Sequence, residues 1–214
     1  MRSHQVMNFS TFFSEQARRP RGLFGRIVMG LVFDRGNAFL NDFAGELLSI
    51  QEEDHVLEIG FGTGKLMHKL VKQIDKGLVE GIEFSKTMAS RARRRNKKNI
   101  VEGRVKIIQG DFDSMPYEKE RFSKVYSVNT IYFWPAPLQT AKKAADILKP
   151  GGKLVLAFED IEQLKQRNLN RDIFRLYSTD DIQDLLAKAG FSGGIKIVSR
   201  RRGELIFHCV VARK

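Results

Sequence analysis

The chain holds a single cysteine, Cys209, in 214 residues. No intrachain disulfide is therefore possible, and a metal site built on several thiolates is excluded within one chain. A reducing, cytoplasmic setting is the expectation. No signal-peptide-like apolar stretch opens the chain, and no apolar run reaches the length that spans a bilayer. Internal repeats and low-complexity segments are missing too. Acidic residues are scarce beside basic ones: 25 Asp and Glu against 37 Lys and Arg give a net charge of +12 at pH 7. That balance raises nucleic acid, an anionic membrane surface and an anionic substrate as partners. The hydrophobic share, 42%, is ordinary for a globular protein. The length suits one α/β domain with added segments.

What is present is more telling. Val56-Leu57-Glu58-Ile59 leads straight into Gly60-Phe61-Gly62-Thr63-Gly64, and Leu66, Met67, Leu70, Val71 and Ile74 follow at helical spacing. The segment reads as a buried strand, a tight glycine loop and a helix. Glycine accepts positive φ and lets a ligand lie against bare backbone, so the loop marks a cofactor site at the carboxyl end of a strand. The spacing is G-x-G-x-G, not the G-x-G-x-x-G of dinucleotide sites, and Glu58 stands two residues ahead. A carboxylate there repels a pyrophosphate but suits a cationic ligand without phosphate, such as S-adenosylmethionine. At these residues the chain resembles the class I S-adenosylmethionine-dependent methyltransferases, whose first motif is a strand ending in D/E-x-G-x-G-x-G. The resemblance runs over 56–214.

Strand and helix patterns then alternate. Strands are expected over 78–84, 105–109, 122–129 and 153–158, with helices over 86–97 (capped by Ser85), 138–148 and 179–189. Lys149-Pro150-Gly151-Gly152 is expected to stop the helix before it and turn the chain. Strands over 195–199 and 205–211 are joined too tightly for a crossover helix, so they form an antiparallel hairpin with an Arg-rich connection. Strict alternation implies a doubly wound α/β fold, a mostly parallel sheet between two helical layers. The resemblance implies seven strands with the last one antiparallel. Two domains are expected: a helical extension or lid over 1–53, and the cofactor-binding domain over 54–214.

Further landmarks follow the glycine loop. Glu83, followed by Phe84, lies about twenty residues on, at the next strand end, where an acid can accept both ribose hydroxyls. Asp111-Phe112 ends the third strand; the resemblance implies that the acid takes the adenine amino group and its neighbour packs on the ring. Asn129-Thr130-Ile131-Tyr132-Phe133-Trp134-Pro135 ends the fourth. It resembles the N-x-x-x-x-W/H-x loop of quinone, sterol and related small-molecule methyltransferases. It is not the N/D-P-P-Y/F motif of amino-methylating nucleic-acid enzymes, because no proline follows Asn129. The cofactor site is therefore expected at Glu58, Gly60, Phe61, Gly62, Gly64, Glu83, Phe84, Asp111, Phe112 and Asn129, and the acceptor site at Tyr132 and Trp134. A hydrophobic plug beneath a helix start would use the same aromatics.

No catalytic base stands out. Methyl transfer from a sulfonium is an in-line displacement in which the protein mainly positions donor and acceptor and excludes water. A base is needed only for a weakly acidic acceptor that arrives protonated. His55, His68 and His208 fall in or beside regular elements and read as structural, and His4 lies in a tail. Glu159, Asp160 and Tyr132 fall near the site by topology. No metal is expected.

Substrate recognition is expected from the loops at the carboxyl edge of the sheet. Two segments should overhang it. The first lies before about residue 54 and holds Phe9, Phe12, Phe13, the basic Arg18-Arg19-Pro20-Arg21, Arg26 and an apolar run over 23–33. The second is 160–177, read as helical. Arg200-Arg201-Arg202 falls on the same edge, while Arg91, Arg93, Arg94, Arg95, Lys97 and Lys98 read as a solvated helix end. Three functions compete. The first is methyl transfer to a small, partly apolar or anionic acceptor. The second is nucleic-acid methylation on the basic surface. The third, nicotinamide-dependent oxidoreduction, is disfavoured by the glycine spacing and Glu58.

Overall fold

A computed structural model describes residues 9–22 and 34–214. The expected apolar run over 23–33, Arg26 and His4 lie outside the described residues. Seven strands form one sheet: β1 (His55–Ile59), β2 (Leu78–Glu83), β3 (Val105–Gln109), β4 (Phe122–Val128), β5 (Leu148–Glu159), β6 (Ile195–Arg202) and β7 (Leu205–Arg213). Their order is β3-β2-β1-β4-β5-β7-β6. Only β7 is antiparallel to its neighbours. The chain winds outward from β1 to β3, then returns to β4 on the other side of β1. Between β1 and β4 the winding reverses, and such a switch point opens a crevice at the carboxyl ends of the strands.

Among the described residues the helices include α1 (Phe9–Arg18), α2 (Ala38–Leu48), α3 (Lys65–Leu70), α4 (Lys86–Arg95), α5 (Lys97–Val101), α6 (Pro137–Ile147), α7 (Ile161–Lys165) and α8 (Thr179–Lys188). One face of the sheet buries Leu40, Phe43 and Leu48 of α2 with Met67 and Leu70 of α3 and Ala89 and Ala92 of α4. The other buries Ala141 and Ala144 of α6 with Ile182 and Leu186 of α8. Fully burying a leucine is worth roughly 1.5–3 kcal/mol, so Leu40 and Leu48 tie α2 firmly to the sheet. Lys153 Nζ adds hydrogen bonds to the α2 carbonyls of Leu47 at 2.9 Å and Leu48 at 3.2 Å. The three layers and the mostly parallel sheet are those the alternation implies.

Several boundaries differ for local reasons. The helix expected over 66–74 ends at Leu70 and tightens into a 3-10 turn, Val71–Gln73. That expected over 86–97 is broken at Asn96, whose side-chain amide donates to the carbonyls of Gly64 and Ala92. Ser85 caps α4 as expected, its Oγ accepting from the Met88 N–H at 3.3 Å. After α6 the chain enters β5 at once: Phe122 pairs with Leu148 and Lys124 with Lys153, so Lys149-Pro150-Gly151-Gly152 bulges within the strand. The hairpin is tighter than expected. Arg200–Arg202 belong to β6, and only Gly203 and Glu204 connect it to β7. In 160–177, only Ile161–Lys165 is helical.

Candidate functional site

A cavity of about 380 Å³ opens at the switch point. Eleven of the twelve expected site residues line it; Gly64 does not. Gly64 instead N-caps α3 with φ +67, and a Cβ there would come within 2.7 Å of Ala92 Cβ, so glycine lets α3 and α4 approach. Gly62 faces the cavity with φ +53. Its N–H donates to Glu83 Oε2 at 3.0 Å, and the Ser85 N–H donates to Oε1 at 2.8 Å. Burial pushes the Glu83 carboxyl above its ordinary range, and these N–H groups hold it back. Backbone donors on both oxygens fix the carboxylate plane and leave it acceptor capacity for a ligand.

Glu58 is 3% exposed. Burial raises its pKa to about 8, opposed by the Tyr126 hydroxyl, which donates to Oε2 at 2.6 Å. Read from sequence, Glu58 is a standing anion. In the fold it holds a proton near neutral pH unless a cation lies beside it. Phe61 lines the cavity and also packs in the core beneath β2. At the far end Asp111 is exposed, its Oδ1 taking the Asp113 N–H at 3.0 Å, while Phe112 is buried with Lys143 Nζ 5.0 Å over its ring. Phe84 is 38% exposed and lies beneath the Arg19 guanidinium, 4.0 Å from the ring centroid.

Asn129 ends β4 with φ +55, a left-handed conformation that asparagine tolerates better than most residues. Its Nδ2 donates to Asn37 Oδ1 at 3.0 Å, and its Oδ1 accepts from the Tyr132 hydroxyl at 3.2 Å. Tyr132 also accepts the Glu159 N–H at 2.7 Å, so its phenol is held by the protein and its ring faces the cavity. Burial pushes the Tyr132 hydroxyl far above its ordinary range, which keeps it protonated. Trp134 Nε1 donates to Thr130 Oγ1 at 3.3 Å. Phe174 packs against Phe133 at 4.6 Å and Tyr132 at 5.9 Å between ring centroids.

Both overhanging segments reach the cavity. Phe13, Ala17, Arg18 and Pro20 come from the first; Leu164, Arg167, Leu169 and Phe174 come from the second. Ser10 Oγ donates to the Asn168 carbonyl at 2.8 Å, the Asn170 N–H donates to Ser14 Oγ at 3.1 Å, and Ser85 Oγ donates to the Pro20 carbonyl at 2.7 Å. Arg167 forks onto Glu159, with contacts of 2.5 and 3.3 Å. Asn37 and Asn41 were not anticipated as lining residues. Their signal was two amides at i, i+4 on an otherwise apolar helix face.

The basic clusters divide. Arg18 lines the cavity. The β6 arginines do not flank its entrance as expected. Arg200 Nη1 pairs with Glu46 at 2.6 Å and covers Phe43, and Arg202 covers Phe39, so both clasp α2. Arg91 and Arg95 are not a merely solvated helix end, because both bond Asp34. Among the described residues no helix is long and apolar enough to cross a membrane, and no group of three or more His, Cys, Asp and Glu side chains is placed to hold a metal ion.

Residues 56–152 match the family described as a methyltransferase domain. The chain is 28% identical to the uncharacterized methyltransferase YdaC of Bacillus subtilis over 74% of this chain and 88% of that one. It is 27% identical to the 27-O-demethylrifamycin SV methyltransferase of Amycolatopsis mediterranei, over 71% of this chain but only 58% of that protein. Among solved structures, a Thermotoga maritima S-adenosylmethionine-dependent methyltransferase, described as a possible histamine N-methyltransferase, superposes with a TM-score of 0.69 at 27% identity, covering 89% and 97% of the two chains. With the strand order and the glycine loop at the switch point, these likenesses make the chain a class I S-adenosylmethionine-dependent methyltransferase, an enzyme that takes its methyl group from that cofactor.

Proposed function

We propose that this methyltransferase acts on a small molecule with an apolar body and an anionic group. The observation that carries the reading is the wall beyond the glycine loop: Phe13, Tyr132, Phe133, Trp134, Leu164 and Phe174 line one cavity with Arg18 at its rim. Phe13 and Arg18 belong to the 1–53 extension, read as a lid on the 54–214 domain. An aromatic wall favours apolar contact and excludes water from the nucleophile. Arg18 is exposed and has no acidic partner among the described residues, which suits a carboxylate or phosphate on the acceptor. The rifamycin relative, by its name, acts on a small molecule, which supports the same class.

The residues present fit S-adenosylmethionine. Glu58 offers a buried carboxyl suited to an ammonium, Glu83 a pre-oriented carboxylate for ribose hydroxyls, and Asp111 with Phe112 an acceptor and a ring for adenine. Gly60 and Gly62 leave backbone bare along the loop, with Phe61 between them, and Phe84 and Asn129 would complete the wall of the same cavity. The bound cofactor supplies an electrophilic methyl on a sulfonium. The chain's part is to orient the two reactants in line and keep water out.

The competing reading is nucleic-acid methylation, favoured by the +12 charge. The test is transfer of labelled methyl to a small-molecule and lipid extract, run beside tRNA, rRNA and DNA at physiological salt. Label in the extract alone is the expected result. Efficient labelling of nucleic acid would overturn the reading.

A further inference from the structure

Asp34 lies ahead of the matched methyltransferase region and outside the cavity wall, yet it reaches the glycine loop. Its carboxylate accepts the Thr63 hydroxyl in a short hydrogen bond, Arg95 Nη1 at 3.0 Å and Nη2 at 2.8 Å, and Arg91 Nη2 at 3.1 Å. Arg95 Nη1 donates in turn to the Thr63 carbonyl at 3.0 Å and to Thr63 Oγ1 at 2.6 Å. Lys65 Nζ donates to the Asp34 carbonyl at 2.9 Å. Thr63 is thus gripped at both its hydroxyl and its carbonyl, between two glycines of positive φ.

We propose that Asp34 and Arg95 form a brace that positions the glycine loop for S-adenosylmethionine. Glycine-rich backbone has little rigidity of its own, and ordering it on binding costs affinity. The brace holds Thr63 in place beforehand, and with it the neighbouring Gly62 N–H that orients Glu83. Its geometry requires arginine. One planar guanidinium meets a carboxylate, a hydroxyl and a carbonyl at once, which a lysine ammonium on a flexible stem does not reproduce. The side chains are 15% exposed at Asp34 and 26% at Arg95, so water screens the pair only in part. The Arg91 contact and the loss of Asp34's proton strengthen the same hub: hydrogen bonds and charge from Arg95, Thr63 and Arg91 outweigh burial and bring the carboxyl down to about 2.

The test is calorimetric affinity for S-adenosylmethionine, paired with unfolding midpoints without cofactor. It uses the full chain carrying Arg95→Lys, Arg95→Ala, Asp34→Asn or Asp34→Asn with Arg95→Lys. Each single variant is expected to lose about tenfold in affinity or more. The double variant should lose little beyond the worse single one, because the two side chains act as one device. Arg93→Ala, an exposed neighbour on α4, should bind as the wild type does. Amide exchange at 62–65 should quicken in Arg95→Lys, the mildest change, while the β1 and β4 amides stay protected. Folded variants with wild-type affinity overturn the brace, as do lower midpoints with affinity unchanged. Wild-type protein that fails to bind the cofactor overturns the site on which the brace rests.

Discussion

Glu58 shows how much a single residue's role depends on where it is buried. Its pKa of about 8 is raised by burial above the ordinary 4.5, so between those values the folded state keeps a proton that the unfolded chain has lost. Stability without cofactor therefore falls as pH rises through that window. His55 opposes this: burial and the nearby cations lower it from 6.5 to about 4, so between those values the unfolded chain holds the extra proton and stability rises with pH. The Glu58 effect stands clear between 6.5 and 8. There the unfolding midpoint is expected to drop with rising pH in wild type and to flatten in Glu58→Gln. Cofactor binding near neutral pH should release a proton, read by calorimetry in buffers of different ionisation enthalpy. Glu83→Ala removes charge-assisted acceptors, each worth roughly 1.5–3 kcal/mol, so affinity for S-adenosylmethionine should fall by at least about tenfold. Gly62→Val should abolish binding while the protein remains folded, since a branched residue resists φ +53 and fills ligand space.

At the scale of elements, the pieces that carry the chemistry are those with continuous apolar patterns. β1 and β3 begin and end within a residue of the expected positions; Val56 to Ile59 is buried on both faces of a parallel sheet, whereas β3, at the sheet edge, fully buries only Val105. The misjudged boundaries lie where side chains from elsewhere intervene. Asn96 breaks the α4–α5 run because its amide is needed at the Gly64 carbonyl. The bulge at 149–152 continues β5 because its backbone finds partners in the last residue, the Gly151 N–H donating to the Lys214 carbonyl at 3.2 Å. The β6–β7 hairpin clasps α2 through Arg200. Because that pair with Glu46 is exposed, Arg200→Ala should cost no more than about 1 kcal/mol in denaturant unfolding and leave cofactor affinity unchanged. A larger loss of affinity would place the hairpin in the site after all. Ser178 and Asp181 form a capping box at α8, and Ser178→Ala should cost about 1 kcal/mol in the same assay.

For the whole molecule, the surplus of cations bears on partners and not on the fold. Weak binding to DNA or RNA is expected from charge alone and should collapse as salt rises through counterion release. Retention of tight binding at high salt would point to a built nucleic-acid site instead. Much of the charge is already engaged, with Arg91 and Arg95 on Asp34 and Arg121 on the buried Glu80 at 2.6 Å. The two overhanging segments bond to each other, and the first also accepts the Ser85 hydroxyl at the Pro20 carbonyl, so the Glu83 strand end and the cover are joined through one serine. Ser85→Ala should therefore raise amide exchange across 9–20 in the cofactor-bound protein, as read by mass spectrometry.

The sequence by itself determined what depends on local pattern: the alternation that makes a doubly wound sheet, the closing hairpin, the glycine loop at a strand end, and acids at the next two strand ends. Those features rest on periodicity and backbone chemistry, which neighbours along the chain decide. Only the tertiary structure decided which charges are spent and which are free. Arg95 and Asp34 are 61 positions apart and meet at Thr63, Arg200 reaches Glu46 across 154 positions, and Asn37 reaches Asn129 across 92. Pairings of that kind depend on how layers pack, and burial then resets the protonation of groups such as Glu58, which no spacing reveals.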